Sequence, residues 1–409
     1  MNSENVSLNT EIEISNLFKD HADGNCLSRS FYTSRAIYER DIERFWNASW
    51  IWVGHTSQLP NAGDFFLFEY GNESIIIVRD RDKEINAFLN VCKHRGSRIC
   101  LEQNGNRRLF VCPYHAWTYE LNGDLRSARE MGPNFNSNKF SLLKANVRIF
   151  YGLIFVCTAN IPPNIELGLA KLAPLVAPFQ LENLKIAHSA TYTVPANWKL
   201  AVENYMECYH CAPSHKEYAK SHSIKDPEHL TKDLINALQE KSLGVGLKSE
   251  IISLNTFSDD VSKMDFYHRR YPLFEGYLTG SRSGKPIAPL LGCLSGFDGG
   301  ATDLQVGILN NFLIYSDYMV GYRFIPRELQ KTDMEIVWFV KADAVEDKHY
   351  NKTELTWLWD VTSQDDERII RLNQKGVNSY FYSPGPLSTM EWGISAFYAD
   401  YLSKLVSDS

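Results

Sequence analysis

The sequence predicts an α+β chain: a small all-β domain, then a larger domain in which helices flank an antiparallel sheet. Three observations predict it. From Ser49 to about residue 160, short β-type runs are broken by turn residues. Beyond that stretch, strand-like runs cluster between helical segments without βα alternation, which argues for antiparallel pairing. The 409 residues are also enough for two separate cores.

Residues 1 to about 30 are polar and expected to be loosely held. Ser34–Trp46 places Ile37, Ile42 and Phe45 at helical spacing. Strands are expected at Asp64–Tyr70, Ser74–Arg79, Ile85–Asn90, Leu109–Cys112, Trp117–Leu121 and Val147–Thr158, with turns at Gly71-Asn72 and Asn122-Gly123. The Pro- and Asn-rich stretch Asn160–Asn164 marks a domain boundary, dividing the chain into 1–47, 48–160 and 161–409. In the last part Ala187–Val194, Leu304–Ile314, Met319–Phe324 and Met334–Lys341 are strand-like. Trp198–Cys211, Glu354–Asn378 and Met390–Val406 are helical. Ser221–Asp303 shows no clean periodicity, and no repeat is visible.

Composition narrows the function. Net charge is −7, from 42 basic and 49 acidic residues, and no basic block offers a nucleic acid or an anionic membrane a partner surface. The longest apolar stretch, Ile149–Cys157, is about half a membrane span. Met1–Asn9 lacks the basic and apolar regions of a secretory signal. Eight cysteines show no spacing of a disulfide framework, so a reduced, cytoplasmic protein is expected.

The chemistry lies in two constellations. Cys92-Lys93-His94 and Cys112-Pro113-Tyr114-His115 both fall in loops of the β-domain. Two thiolates and two imidazoles in such loops are the ligand set of a Rieske [2Fe–2S] cluster, in which histidines replace thiolates on one iron. The competing reading is a zinc site, but zinc fingers usually place Cys-x-x-Cys ahead of a histidine pair. The second constellation is His210 and His215, with Glu207 three residues before His210. Pro213 is expected to break the helix at Ala212, so that both imidazoles reach one metal. Two imidazoles and a carboxylate form the facial triad of a mononuclear Fe(II) oxygen-activating site. Asp365 and Asp366, on a late helix, are the carboxylate candidates. A wheel drawn through Ile369, Ile370 and Leu372 does not choose between them.

Together with Glu203-Asn204, Glu207 and Tyr209, these residues resemble the α-subunit of Rieske non-heme iron oxygenases along nearly the whole chain. The resemblance implies a Rieske domain followed by a helix-grip-like catalytic domain. Gln374-Lys375-Gly376-Val377 is similar to the family's late Gln-x-Gly-Val segment and selects Asp366 as third iron ligand, with Asp365 as fallback. It implies a [2Fe–2S] cluster on Cys92, His94, Cys112 and His115, and Fe(II) on His210, His215 and Asp366. It also implies a homotrimer, in which Glu207 bridges the cluster ligand His115 of one chain to His210 of the next.

At that position ring-hydroxylating members usually carry aspartate. Glutamate is similar to members that oxidise choline, betaines or carnitine, so a quaternary ammonium or N-methyl compound is the expected substrate. Ring hydroxylation of an aromatic acid or hydrocarbon is the alternative. No flavin or nicotinamide fingerprint is present, so electrons are expected from a separate flavin/iron–sulfur reductase, with a ferredoxin as an optional second carrier. A pure electron carrier would leave about 250 residues beyond the β-domain without a use. Respiratory Rieske proteins, moreover, carry extra loop cysteines where this chain has Ser97 and Tyr114. His222, His229 and His268 are expected at the surface or behind the ligands, and Cys208 and Cys211 as packing residues.

Overall fold

The computed structural model describes residues 14–17, 19–222, 228–248, 252–254 and 266–406. The polar start of the chain to residue 13 and the side chain of His229 lie outside them. The chain forms two compact units: Asn47–Pro163, and Met1–Trp46 together with Asn164–Ser409. The segment ahead of the β-domain thus belongs to the same unit as the C-terminal part. No helix among the described residues is long and apolar enough to cross a membrane.

The smaller unit is all β. Its main sheet has the order β1-β10-β9-β4-β3-β2-β5. In chain order these are β1 (Ile51–His55), β2 (Asp64–Tyr70), β3 (Glu73–Arg79), β4 (Ile85–Leu89), β5 (Asn104–Asn106), β9 (Lys144–Phe150) and β10 (Leu153–Cys157). A second, three-stranded sheet joins β6 (Phe110–Val111), β7 (Thr118–Tyr119) and β8 (Leu125–Ser127). The expected single strand Val147–Thr158 is instead the β9–β10 hairpin. Tyr151 and Gly152 both adopt positive φ, 46° and 81°, as the central residues of a type I′ turn must. The unbroken apolar run hid that turn, because an aromatic residue is a poor signal of a left-handed conformation. The core packs Phe65, Ile76, Phe88 and Phe110 against Cys92, Cys112, Trp117 and Tyr119. The two thiols therefore sit at the inner end of their loops.

The larger unit is built on one antiparallel seven-stranded sheet, β11-β17-β16-β15-β14-β13-β12. The strands are β11 (Leu184–Val194), β12 (Ile252–Leu254), β13 (Phe266–Pro272), β14 (Gly300–Val306), β15 (Asn311–Ile314), β16 (Met319–Glu328) and β17 (Lys331–Lys341). Leu304–Ile314, expected as one strand, divides into β14 and β15 around Gly307, whose φ is 69°. Ser221–Asp303, unreadable by periodicity, contributes the helix Glu228–Gly244 and the strands β12 and β13.

The long helix Lys352–Val377 is capped by Asn351, whose side chain accepts from Glu354 N at 3.2 Å. It buries Leu355, Leu358, Trp359, Thr362, Asp366, Ile370 and Gln374, a stripe at three- and four-residue spacing. Tyr192 on β11 donates its hydroxyl hydrogen bond to Asp360 on this helix. Gln374 Oε1 accepts from Asn197 N at 2.7 Å, tying the helix to the start of Trp198–Tyr205.

Ser34 caps the helix that follows it, its side chain accepting from Ile37 N at 3.4 Å, but that helix runs regularly only over Arg35–Arg40 and then widens into a π-turn over Asp41–Trp46. That change of pitch sits where Asp41 is fully buried. Its carboxylate accepts from Lys199 Nζ, from Trp198 Nε1 at 3.1 Å and from the Tyr401 hydroxyl at 2.5 Å. Three segments far apart in sequence meet on one ion pair. Removing one partner strands a buried charge, which typically costs about 3–5 kcal/mol. Asp41→Ala should therefore lower the unfolding free energy by about 3–5 kcal/mol. Asp41→Leu combined with Lys199→Met should recover most of the loss; chemical denaturation measures both.

Candidate active site

Each loop of the smaller unit repeats one geometry. Gly96 N donates to Cys92 O, and Ala116 N to Cys112 O, both at 3.0 Å. Gly96 and Ala116, each four residues after its cysteine, take positive φ of 78° and 59°. Alanine in that region is uncommon and mildly costly, so the second loop is held by its surroundings rather than by local preference. The result is two buried thiols beneath two exposed imidazoles. The His94 and His115 rings lie 4.6 Å apart, and Trp117 stacks on His94 at 4.8 Å.

Burial raises the Cys92 thiol, and the neighbouring Cys112 thiol adds to that rise. Two adjacent thiolates are thus disfavoured until a cation lies between them, which suits an iron cluster. The Tyr119 hydroxyl stands 3.3 Å from Cys92 Sγ and accepts from Lys93 N at 3.1 Å. A hydrogen bond to a ligand sulfur is one lever on a cluster's potential.

In the larger unit the helix Trp198–Tyr205 begins at its Asn197 cap and ends well ahead of the expected break at Ala212. Glu207 is the reason. Its carboxylate accepts from Tyr209 N and, at 3.2 Å, from His210 N, fixing the turn that leads into the one-turn helix Cys211–Ser214. Pro213 falls inside that turn, where its missing N–H costs nothing. Glu207 Oε1 also lies 2.5 Å from His210 Nδ1. That contact ties up Nδ1 and leaves Nε2 turned toward His215 and Asp366.

His210 Nε2 and His215 Nε2 stand 3.1 Å apart. Asp366 Oδ1 lies 3.0 Å from His215 Nε2 and 3.5 Å from His210 Nε2. Ligands at right angles, about 2.1 Å from one ion, are about 3 Å apart, so these three atoms fit a single metal. Asp366 Oδ1 is buried and makes no well-directed hydrogen bond among the described residues. Asp365 lies more exposed, with Oδ2 3.7 Å from the other nitrogen of His215. The helical wheel failed to choose because it counted Leu372, which is 51% exposed, as part of the apolar face. The stripe running from Leu355 through Thr362 to Ile370 passes through Asp366.

Burial pulls the His210 imidazole down, but its contacts with Asp366 and Glu207 outweigh that and raise it to about 9. Burial likewise pushes Asp366 up, and the two histidines reverse the shift to leave it lowered. The metal-free triad therefore holds a proton where the ion would sit.

Cys208 and Cys211, expected as packing residues, are joined by a disulfide across the turn, their Cα atoms 4.9 Å apart. Cys211 Sγ lies near the histidine ligand atoms but is committed to that bond. His222 and His268 are buried rather than at the surface. His222 Nε2 meets the Tyr315 hydroxyl at 2.8 Å, its ring stacks on Tyr218, and burial lowers it to about 3, so it stays neutral.

The triad opens on a cavity of about 470 Å³. Tyr205, Tyr218, Tyr267, Tyr322, Phe324 and Trp359 form much of its wall. Successive rings touch: Tyr205 to Tyr322 at 5.1 Å, Tyr322 to Trp359 at 5.9 Å, Trp359 to Tyr218 at 5.6 Å. Arg269, Asp303, Gln305 and Asn311 on β13, β14 and β15 complete the lining. The sequence reading missed this floor. The alternation Tyr267-x-Arg269-x-Tyr271 was a legible strand signal inside the stretch taken as aperiodic.

Comparison with known proteins identifies the two domains. Residues 49–148 match the Rieske [2Fe-2S] domain model, and residues 181–269 and 310–407 match the ring hydroxylating alpha subunit catalytic domain. The chain is 32% identical over 399 residues to the glycine betaine monooxygenase oxygenase subunit of Pseudomonas aeruginosa, covering 93% of this chain and 89% of that one. It is 40% identical over 198 residues to the carnitine monooxygenase oxygenase subunit of Escherichia coli K12, covering 47% and 52% respectively. The fold is similar to a crystal structure of the quaternary ammonium Rieske monooxygenase CntA, with a TM-score of 0.72, 23% identity, and 96% and 98% of the two chains covered. The chain belongs to the family of Rieske non-heme iron oxygenase α-subunits. It is an oxidoreductase whose two domains imply a [2Fe–2S] cluster and a mononuclear iron.

Metal binding must displace the His210 proton. Below about pH 9 the affinity of the metal-free site for Fe(II) should fall roughly tenfold per pH unit. Anaerobic Fe(II) titrations between pH 6.5 and 8.5 measure that slope.

Proposed function

We propose that this protein is the terminal oxygenase of a multicomponent system that oxidises a small quaternary ammonium or N-methyl compound at a carbon bonded to nitrogen, releasing an aldehyde. The observation that carries this reading is the aromatic wall beside the triad. Tyrosine and tryptophan faces attract a cation that cannot itself donate a hydrogen bond, and they exclude water. The names of the betaine and carnitine relatives support the same substrate class.

In this reading Cys92, His94, Cys112 and His115 hold the cluster, and His210, His215 and Asp366 hold the iron. When bound, the cluster supplies single electrons and the iron supplies open coordination positions for O₂. The chain's own residues do the rest. Asp366 neutralises charge at the metal, and Asp365 adds a second negative charge 3.7 Å from His215 Nδ1. Glu207 orients the His210 ring and links it to His115 of a neighbouring copy in a homotrimer. Electrons enter from a separate reductase.

The test is O₂ uptake with a surrogate reductase, comparing betaines, choline and carnitine with benzoate-type acids. Formaldehyde should appear with the N-methyl compounds, and none of them stimulating uptake would sink the reading. His210→Ala should retain the Rieske absorption, lose about one of three irons per chain and lose O₂ uptake. Glu207→Gln should keep both metal contents and slow turnover by on the order of a hundredfold; normal turnover would remove Glu207 from the route.

A further inference from the structure

Behind the triad, five rings that take no part in holding a metal form one contact network. Tyr218 meets the His215 ring at 6.3 Å and stacks on His222 at 3.9 Å. Trp359 touches Tyr218 at 5.6 Å and Tyr315 at 6.3 Å, and Tyr315 stacks on Tyr318 at 4.7 Å. His222, Tyr315, Tyr318 and Trp359 are all buried. The cavity wall accounts for Tyr218 and Trp359, but not for the polar atoms behind them.

Those atoms are arranged for proton transfer. Tyr315 Oη lies 2.8 Å from His222 Nε2. On the far side of that imidazole, Nδ1 lies 2.8 Å from Ser221 Oγ and 3.3 Å from Tyr218 O, and Ser221 Oγ itself donates to Tyr218 O at 3.2 Å. A carbonyl oxygen only accepts, so the imidazole hydrogen sits on Nδ1 and Nε2 accepts from the phenol. A phenol that loses an electron becomes a strong acid, and a neutral imidazole within hydrogen-bond reach is a base placed to take the proton. Gly280 closes the site against water: a Cβ there would lie 2.7 Å from Tyr315 Oη. The neighbouring Tyr318 has no such base. Its hydroxyl donates to Gly280 O at 2.6 Å and accepts from Trp359 Nε1 at 3.2 Å.

We propose that Tyr315 and His222 are a redox-active pair that discharges the iron centre when an oxidant forms there and no substrate is oxidised. Tyr315 gives up one electron, which passes through Trp359 and Tyr218 to the iron, and its proton moves to His222 Nε2. A tyrosyl radical and an imidazolium remain. An electron from the reductase then restores Tyr315, and His222 returns the proton. In sum, four electrons and four protons turn O₂ into two waters, and no carbon is oxidised. The pair thus protects the aromatic wall, whose rings are themselves oxidisable. The proposal depends on the oxygenase class of the chain and on no particular substrate.

The experiment mixes the cluster- and iron-loaded enzyme with hydrogen peroxide, without substrate, and freezes it for electron paramagnetic resonance. Wild type should form an organic radical. Its hyperfine pattern should collapse when ring-deuterated tyrosine is incorporated, and transfer to D₂O should remove the coupling to the proton held by His222. Tyr315→Phe should lose the signal, and Tyr318→Phe should keep it. In the same mixture Tyr315→Phe should gain oxygen atoms on Tyr218 or Trp359 several-fold faster than wild type, as peptide mass spectrometry reads. Retention of the Rieske absorption and of the mononuclear iron shows that each variant is folded and loaded.

No organic radical in wild type overturns the proposal, as does a signal that deuterated tyrosine leaves unaltered or that persists in Tyr315→Phe. Should Tyr315→Phe not fold, labelled wild type decides: a tyrosyl signal without an exchangeable proton coupling overturns the assignment to the ring bonded to His222. The substrate reading is tested separately by O₂ uptake, so either can fall while the other stands.

Discussion

Two imidazole nitrogens and a buried carboxylate oxygen, all within 3.5 Å of one another, form an arrangement that only a cation makes tolerable, and the surrounding elements of the larger unit bring it about. Without metal, a proton on His210 does the neutralising, which is why that imidazole stands near 9 despite its burial. Each of the three side chains arrives by a different device. Asp366 comes from the apolar stripe of a long, rigid helix. His210 and His215 flank a single helical turn, which starts where Glu207 captures two backbone N–H groups.

Glu207 therefore has a local task that precedes any part in electron transfer. A carboxylate that holds Tyr209 N and His210 N while meeting His210 Nδ1 fixes both the path of the chain and the orientation of the ring. A shorter aspartate could not hold these contacts without moving the backbone. The exchange of aspartate for glutamate at this position is then a change in local architecture. The Cys208–Cys211 disulfide closes the same turn from its other side.

The two candidate sites answer one electrostatic problem in opposite ways. In the smaller unit the thiols are buried under exposed imidazoles, so that charge is concentrated inside while the histidine edge faces outward. In the larger unit the ligands lie at the end of a cavity whose walls are mostly rings and whose floor holds Arg269 and Asp303. An oxidising centre suits such walls, because they exclude water and position a cation by its surface rather than by hydrogen bonds.

Much of this was legible in the chain alone, for reasons that are local. The paired Cys/His motifs, Glu207 with His210 and His215, and the succession of β-rich and mixed segments depend on short spacings and on two periodicities. What escaped the sequence depended on distant neighbours. The choice of Asp366 needed the whole stripe from Leu355 to Gln374, since a wheel over a few residues takes exposed Leu372 for part of the core. The early end of the Trp198 helix needed a side chain folding back on its own backbone. The Tyr151-Gly152 hairpin turn and the widened turn at Asp41 are tertiary decisions that override propensity. Nor does anything in the order of residues bring Arg269 beside Asp303. Strand register does that, because pairing across a sheet is set by every residue of both strands together.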